Sequence, residues 1–160
     1  MTIKVGDKFP QGSFLTLGPD GPAPVTTDEL FKGKKVVLFA VPGAFTPTCS
    51  AKHLPGYVAN ADAIKAKGVD TIACMAVNDA FVMGAWGKDQ GVGDKVLMLG
   101  DGSGDITKAL GLELDATKMG MGPRSQRFAL VVDDGTVTHV AVEEGGGLDV
   151  SAAEKVLAAL

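Results

Sequence analysis

The chain has 160 residues, of which 46% are hydrophobic and 21% charged, and a formal net charge of −4. That length fits one domain with a single sizeable core, and the balance is that of a soluble globular protein rather than a disordered one. A mildly acidic chain offers nucleic acid no electrostatic footing, so no such partner is expected.

Met1 to Lys8 lacks the unbroken apolar stretch of a secretory signal, and no apolar window approaches bilayer length, so no membrane association is expected either. Two cysteines are too few for a disulfide framework. The expected setting is a reducing cytoplasm, where the question is whether either thiol is reactive.

In chain order, Leu17-Gly18-Pro19-Asp20-Gly21-Pro22 reads as a turn, and Asp28 to Lys32 as a short helical turn capped by Thr26 or Thr27. Lys35 to Val41 is apolar on both faces and reads as a central strand. After the loop Pro42 to Thr48, a helix is expected from Cys49 or Ser50 to Lys67. Leu54, Val58, Ala61, Ile64 and Ala66 form its apolar side, Pro55 kinks it and Gly68 stops it. Thr71 to Val77 is a second buried strand, which makes a strand–helix–strand unit with parallel strands.

A helix at Ala80 to Gln90, a strand at Val96 to Leu99 and a helix at Asp105 to Leu110 follow. Phe128 to Val132 and Val137 to Val142 flank Asp133-Asp134-Gly135, a hairpin signal, and Ser151 is positioned to cap a last helix through Leu157. A parallel βαβ unit, then an antiparallel hairpin and a closing helix, is the thioredoxin-like α/β order: a central mixed sheet flanked by helices, in one domain over 1–160. Fold alone does not assign function.

Cys49 stands where the loop after the first central strand feeds a helix. Free amides and the positive end of the helix dipole face that position, and open α/β sheets place ligands there. Thr46, three residues upstream, carries a hydroxyl within reach of the sulfur or of a bound oxygen. Most buried cysteines are inert, and it is the preceding segment that separates Cys49 from them.

Pro42-Gly43-Ala44-Phe45-Thr46-Pro47-Thr48-Cys49 resembles the Pro-x-x-x-Thr-x-x-Cys signature of peroxiredoxins. His53 to Tyr57, Val77 to Met83 and Arg124 to Phe128 resemble the type II, peroxiredoxin-5-like branch, and the similarity runs along nearly the whole chain. The resemblance implies that Cys49 is the peroxidatic cysteine, that the Thr46 hydroxyl orients the peroxide, that Pro42 shields the site and that Arg127 is the catalytic arginine. It also implies a thiolate that attacks the O–O bond and becomes a sulfenic acid, with no metal or organic cofactor.

For any thiol, lowering the pKa from about 8.5 to about 6 multiplies the thiolate at neutral pH only roughly thirtyfold, and nucleophilicity falls as it does. Most of a peroxidase rate must therefore come from groups that align the peroxide and stabilise the departing oxygen, a role suited to Arg127 and Thr46.

Cys74, in mid-strand, reads as a small buried hydrophobe that does not resolve the sulfenic acid. Some type II relatives carry a resolving cysteine after a Gly-rich turn near the C-terminus, but Gly145 to Ser151 has none. The implied cycle is one-cysteine, with an external thiol as reductant, glutathione with glutaredoxin ahead of thioredoxin. A homodimer is implied by the same resemblance.

Other readings are weaker. Cys49, Cys74, His53 and His139 lack zinc-ligand spacing, and His53 is expected to cap or line the site entrance. A Cys49–His139 hydrolase needs an oriented imidazole that the sequence does not indicate. Asp62, Asp70 and Asp79 read as solvated, Trp86 as packing or a subunit contact, and the Gly100 to Gly104 and Met119 to Gly122 runs as turns. The rival function is a non-catalytic redox sensor or binding protein on the same fold.

Overall fold

The computed structural model describes residues 2–145 and 147–160; Met1 and Gly146, the latter within the cysteine-free Gly-rich run, lie outside the described residues. Ser13–Gly18 (β1) and Gly21–Thr26 (β2) form an antiparallel hairpin around the expected turn, although neither had been expected as a strand. Their sequences carry Gly and Pro, which hide a strand signal, and β2 is an edge strand where proline is tolerated. Thr27–Phe31 (α1) is capped by Thr26, whose hydroxyl accepts from the Glu29 amide while the Glu29 carboxylate accepts from the Thr26 amide.

Lys35–Ala40 (β3), Leu54–Lys65 (α2), Thr71–Ala76 (β4), Ala80–Asp89 (α3), Leu97–Gly100 (β5) and Asp105–Leu110 (α4) build the parallel half. A small hairpin, Glu113–Ala116 (β6) and Gly122–Ser125 (β7), stands apart from the main sheet and was not foreseen, because its strands lack apolar alternation. Phe128–Asp133 (β8) and Thr136–Val142 (β9) form the expected hairpin, with Asp134 and Gly135 both at positive φ, as a two-residue primed turn requires. Ala153–Ala159 (α5) closes the fold. The described strands order β2-β1-β5-β4-β3-β8-β9 in the seven-stranded sheet, so the expected thioredoxin-like α/β architecture is the one observed.

Strand period divides the core in two. Val37 and Phe39 of β3 face Leu54, Tyr57, Trp86 and Val156 on one side, whereas Val36, Leu38 and Ala40 face Phe14, Leu30, Phe31 and Ile106 on the other. Trp86 is fully buried, which makes it packing rather than a subunit contact.

Three expectations are corrected. Pro55 does not kink a continuous helix: Cys49–His53 is a π-turn, in which the Leu54 amide bonds the Cys49 carbonyl, and Pro55 then enters at the start of α2, where a missing amide breaks nothing. Tyr57 is on the buried face of α2, while Ala66 is exposed at its C-cap. Ser151 does not cap α5. Ala152 is the N-cap and has no side-chain bond, because the Ser151 hydroxyl is committed to Glu143.

Asp62, Asp70 and Asp79 are exposed as expected, but Asp70 accepts the Lys35 amide and Asp79 caps α3 through the Val82 amide. The Gly100–Gly104 turn surrounds a buried carboxylate, Asp101, that accepts from the Ile106 and Thr107 amides and the Thr107 hydroxyl.

Gly100 ties this framework to the loop ahead of Cys49. A Cβ there would stand 2.9 Å from the Asn78 carbonyl oxygen and 3.0 Å from the Ala80 amide nitrogen, both backbone atoms. Asn78 in turn accepts the Ala44 amide at 2.9 Å. Gly100→Ala is therefore expected to cost about 1–3 kcal/mol of unfolding free energy and to speed hydrogen exchange at the Ala44 amide. Denaturant unfolding and amide-exchange spectra check this.

Candidate active site

Three chain segments meet at one end of the sheet for a topological reason. The loop carrying Cys49 leaves the C-terminal end of β3. β8 runs antiparallel to β3 with Phe128 opposite Ala40, so Arg127 precedes β8 at that same end. β9 pairs Val142 with Phe128, which brings Glu143 beside Arg127, and the Glu143 amide donates to the Arg127 carbonyl at 3.0 Å. Residues distant in sequence thus converge on one sulfur.

Cys49 is fully buried, and Arg127 Nη2 donates to its Sγ at 3.1 Å. Arg127 is itself 4% exposed, and Nη1 stands 2.8 Å from His53 Nδ1. Among the described residues, no carboxylate lies within ion-pair distance of this guanidinium; the ion pairs there are Lys4–Asp7 and Lys155–Asp149. Its Nε has no hydrogen-bond partner. A buried cation without an anion is costly, by several kcal/mol even after relaxation, and the side chain that Nη2 reaches is Cys49.

His53 does not line an entrance. It is 1% exposed, its Nε2 lies 3.2 Å from the Ser151 carbonyl oxygen, and its ring packs beside Phe39 and Tyr57. Burial first, then the Arg127 charge, pull its pKa down to about 3, so the ring is neutral. An arginine can only donate and a carbonyl can only accept. Nδ1 is therefore the acceptor and Nε2 carries the proton.

Ser151 is held in turn. Its carbonyl also accepts from the Tyr57 hydroxyl at 2.7 Å. Its amide and hydroxyl donate to one Glu143 carboxylate oxygen at 2.8 and 2.6 Å, as does the Asp149 amide at 2.8 Å. Burial alone would raise the Glu143 pKa; the hydrogen bonds from Ser151, Asp149 and Val150 outweigh it and the net shift is downward. Glu143 and the anchoring role of Ser151 were not read from the sequence, where an acidic residue after a strand carries no signal of its own.

The loop before Cys49 is held tightly. Phe45 sits at φ 64° while half exposed, a conformation rare for a bulky residue. The Thr46 hydroxyl donates to the Gly43 carbonyl at 2.7 Å rather than to the sulfur, which leaves its lone pairs free to accept. A Cβ at Gly43 would meet Met121 Cε at 2.9 Å, and Arg124 braces the same loop by donating to the Met121 and Val77 carbonyls. Pro42 is half-buried at the start of the loop. The Thr46 carbonyl accepts the Ser50 amide, so the helix begins ahead of Cys49, and the Ser50 hydroxyl accepts from the fully buried Trp86 indole at 3.0 Å.

Cys74 is equally buried and sits opposite Phe39 in β4. Burial foremost, with the neighbouring Cys49 adding to it, pushes its pKa well above the ordinary thiol range. His139 lies on β9 opposite Val131, and it is His53, not His139, that shares the Arg127 guanidinium with the sulfur.

Comparison with known proteins gives the family. The family model described as Redoxin matches residues 4–157. Peroxiredoxin-2E-2, chloroplastic, of Oryza sativa subsp. japonica is 54% identical over 164 residues, covering 99% of this chain and 73% of that protein. Peroxiredoxin-2C of the same organism is 51% identical over 159 residues, covering 99% and 98%. The crystal structure of reduced Prx3 from Vibrio vulnificus in complex with hydrogen peroxide superposes with a TM-score of 0.95 at 53% identity, covering 99% of each chain. On this similarity along its length, the chain belongs to the peroxiredoxins, the family of thiol-dependent peroxidases, and within them to the type II branch.

Proposed function

We propose that this protein reduces hydrogen peroxide and alkyl hydroperoxides through a sulfenic acid on Cys49, and that an external thiol returns the sulfur to its starting state. The observation that carries the reading is the buried Arg127 guanidinium, which has the Cys49 sulfur and a neutral imidazole as its partners. The reacting species is the Cys49 thiolate. It attacks one peroxide oxygen along the O–O axis, the S–O bond forms as the O–O bond breaks, and the departing oxygen leaves with the electron pair and takes a proton to become water or alcohol.

Arg127 is the catalytic cation: Nη2 and the unpartnered Nε are donors close to where that charge develops. The Thr46 hydroxyl, with its hydrogen on Gly43, accepts from the peroxide O–H and presents that same oxygen to the sulfur, so that the other oxygen departs as water or alcohol. Pro42 shields the sulfur from bulk water. No cofactor takes part in these steps.

Regeneration uses two thiols. The first displaces hydroxide from the sulfenic sulfur, giving a mixed disulfide and water; the second attacks that disulfide and frees Cys49. Glutathione with glutaredoxin is favoured over thioredoxin, because Cys74 lies in a core strand with a raised pKa and Gly145 to Ser151 carries no cysteine. Because Cys49 is fully buried, a bulky thiol reaches it after the π-turn opens. Two free cysteines and this thiol cycle suit a reducing cytoplasm. A homodimer is supported by the exposure of Phe45 at 52%, Phe81 at 62% and Met119 at 68%, apolar side chains on segments around the site.

The reading is tested by peroxide consumption with glutathione and glutaredoxin. Many turnovers per Cys49 are expected, abolished by Cys49→Ser and kept by Cys74→Ser, with Arg127→Gln slowing Cys49 oxidation about 100-fold or more. Arrest after one equivalent would make the protein a sensor rather than an enzyme. Light scattering at micromolar concentration is expected to give a dimer mass, reduced by Phe81→Asp.

The site also has an acid limit. Glu143 has its pKa lowered by folding, so its contribution to stability is present above the unfolded carboxyl pKa, about 4.3, and is lost as pH falls through the folded value. Glu143→Gln is expected to lose about 1–2 kcal/mol at pH 7, and thermal melts should show the gap to the parent closing below about pH 4.

A further inference from the structure

We propose that Asn78 is a positioning residue that aims the Thr46 hydroxyl, by fixing the peptide unit between Gly43 and Ala44. This rests on the role given to Thr46 above, whose oxygen has to be free to accept from the peroxide. Asn78 Oδ1 accepts from the Ala44 amide at 2.9 Å, and the Gly43 carbonyl accepts from the Thr46 hydroxyl at 2.7 Å. That amide and that carbonyl belong to one peptide group. Peptide bonds among the described residues are trans, so its N–H and C=O point opposite ways from one rigid plane. Holding the N–H on Asn78 turns the C=O toward Thr46.

The consequence falls on the threonine. A hydroxyl has one hydrogen to donate and two lone pairs to offer. With its hydrogen on the Gly43 carbonyl, Thr46 meets the substrate as an acceptor. Were the plane turned over, the peptide N–H would face Thr46 and take up its oxygen, and the hydroxyl would meet the substrate as a donor. The direction of one peptide group thus sets the polarity of the side chain that orients the peroxide.

Gly43 leaves that plane free to turn. A Cβ there would stand 2.9 Å from Met121 Cε and 3.1 Å from Thr46 Cγ2, so the close approach requires glycine, the residue that restrains its backbone least. Asn78 supplies the missing restraint from a fixed base. It lies between the end of β4 and Asp79, the N-cap of α3, and its own carbonyl is packed against Gly100, where a Cβ would stand 2.9 Å away. An amide N–H can only donate, so the Asn78 atom that faces Ala44 is the side-chain oxygen. Arg127 reaches the sulfur from β8, a separate segment, and makes no use of Asn78.

The test compares replacements in the intact chain, with Cys74→Ser as background. Asn78→Leu keeps the volume and removes the acceptor; Asn78→Asp keeps an acceptor of the same shape. The readouts are the second-order rate of Cys49 oxidation by hydrogen peroxide at neutral pH and the rate of Cys49 alkylation by iodoacetamide, a reaction that needs the sulfur but no aligned peroxide. Asn78→Leu is expected to slow oxidation about tenfold or more while alkylation stays within about twofold, and Asn78→Asp to keep oxidation within about threefold of the parent. In a Thr46→Val background, where there is no hydroxyl left to aim, adding Asn78→Leu is expected to slow oxidation no more than about twofold further.

Oxidation by Asn78→Leu at the parent rate, an equal loss in oxidation and alkylation, or losses that multiply in the Thr46→Val background would each overturn the proposal. Thr46→Val alone separates this from failure of the parent reading. If it leaves oxidation unchanged, the role of Thr46 fails and that of Asn78 with it; if it slows oxidation while Asn78→Leu does not, only the role of Asn78 is lost. A thermal melt shows whether each variant is folded, and should Asn78→Leu be unfolded, Asn78→Ala makes the same comparison.

Discussion

The site depends on one contact, between a buried guanidinium and a buried sulfur. An arginine keeps its charge in proteins, and Arg127 has little access to water, so that charge has to be met by what surrounds it. The neighbours are a sulfur, a neutral ring and, on Nε, no partner. A structural arginine would be expected to have its carboxylate. This one has the Cys49 sulfur in that place: β8 sets where the guanidinium starts, and Cys49 and His53 accept from its two terminal nitrogens.

The same contact explains why two thiols with equal burial are assigned different roles. Cys49 and Cys74 are both 0% exposed and share one apolar cluster. Cys74 sits in mid-strand between apolar neighbours and is driven toward its neutral form. Cys49 stands past the end of β3, in a π-turn, with a cation as hydrogen-bond donor. Burial alone decides nothing between them; the partner does. In the proposed cycle burial sets a condition on turnover, because Cys49 is 0% exposed and a large reductant needs the π-turn to open. Its wide hydrogen-bond ring, next to a proline that adds no amide, is a weak point in the helix.

Much of this was legible in the sequence. The apolar runs of β3, β4 and β8, the Asp134-Gly135 turn and the cap at Thr26 follow from local chemistry, and the structure places each close to where it was expected. Cys49, Thr46, Arg127 and Pro42 were named from motif resemblance, and all four lie at the same end of the sheet or on the loop that leaves it. What stayed hidden was set by tertiary contact. Ser151 carries a capping residue's chemistry but spends it on Glu143, His53 looks like an exposed polar residue beside a cysteine, and Pro55 signals a kink that the preceding π-turn replaces. β6 and β7 lack apolar alternation because they pair with each other outside the main sheet.

The most direct test of the guanidinium–sulfur contact compares the two cysteines within one molecule. The reduced protein is treated with less than one equivalent of hydrogen peroxide in the presence of dimedone, and the labelled cysteines are mapped by peptide mass spectrometry. The account predicts a sulfenic-acid adduct on the peptide containing Cys49 and none on the peptide containing Cys74. Labelling of Cys74 in preference to Cys49, or of neither, would contradict it.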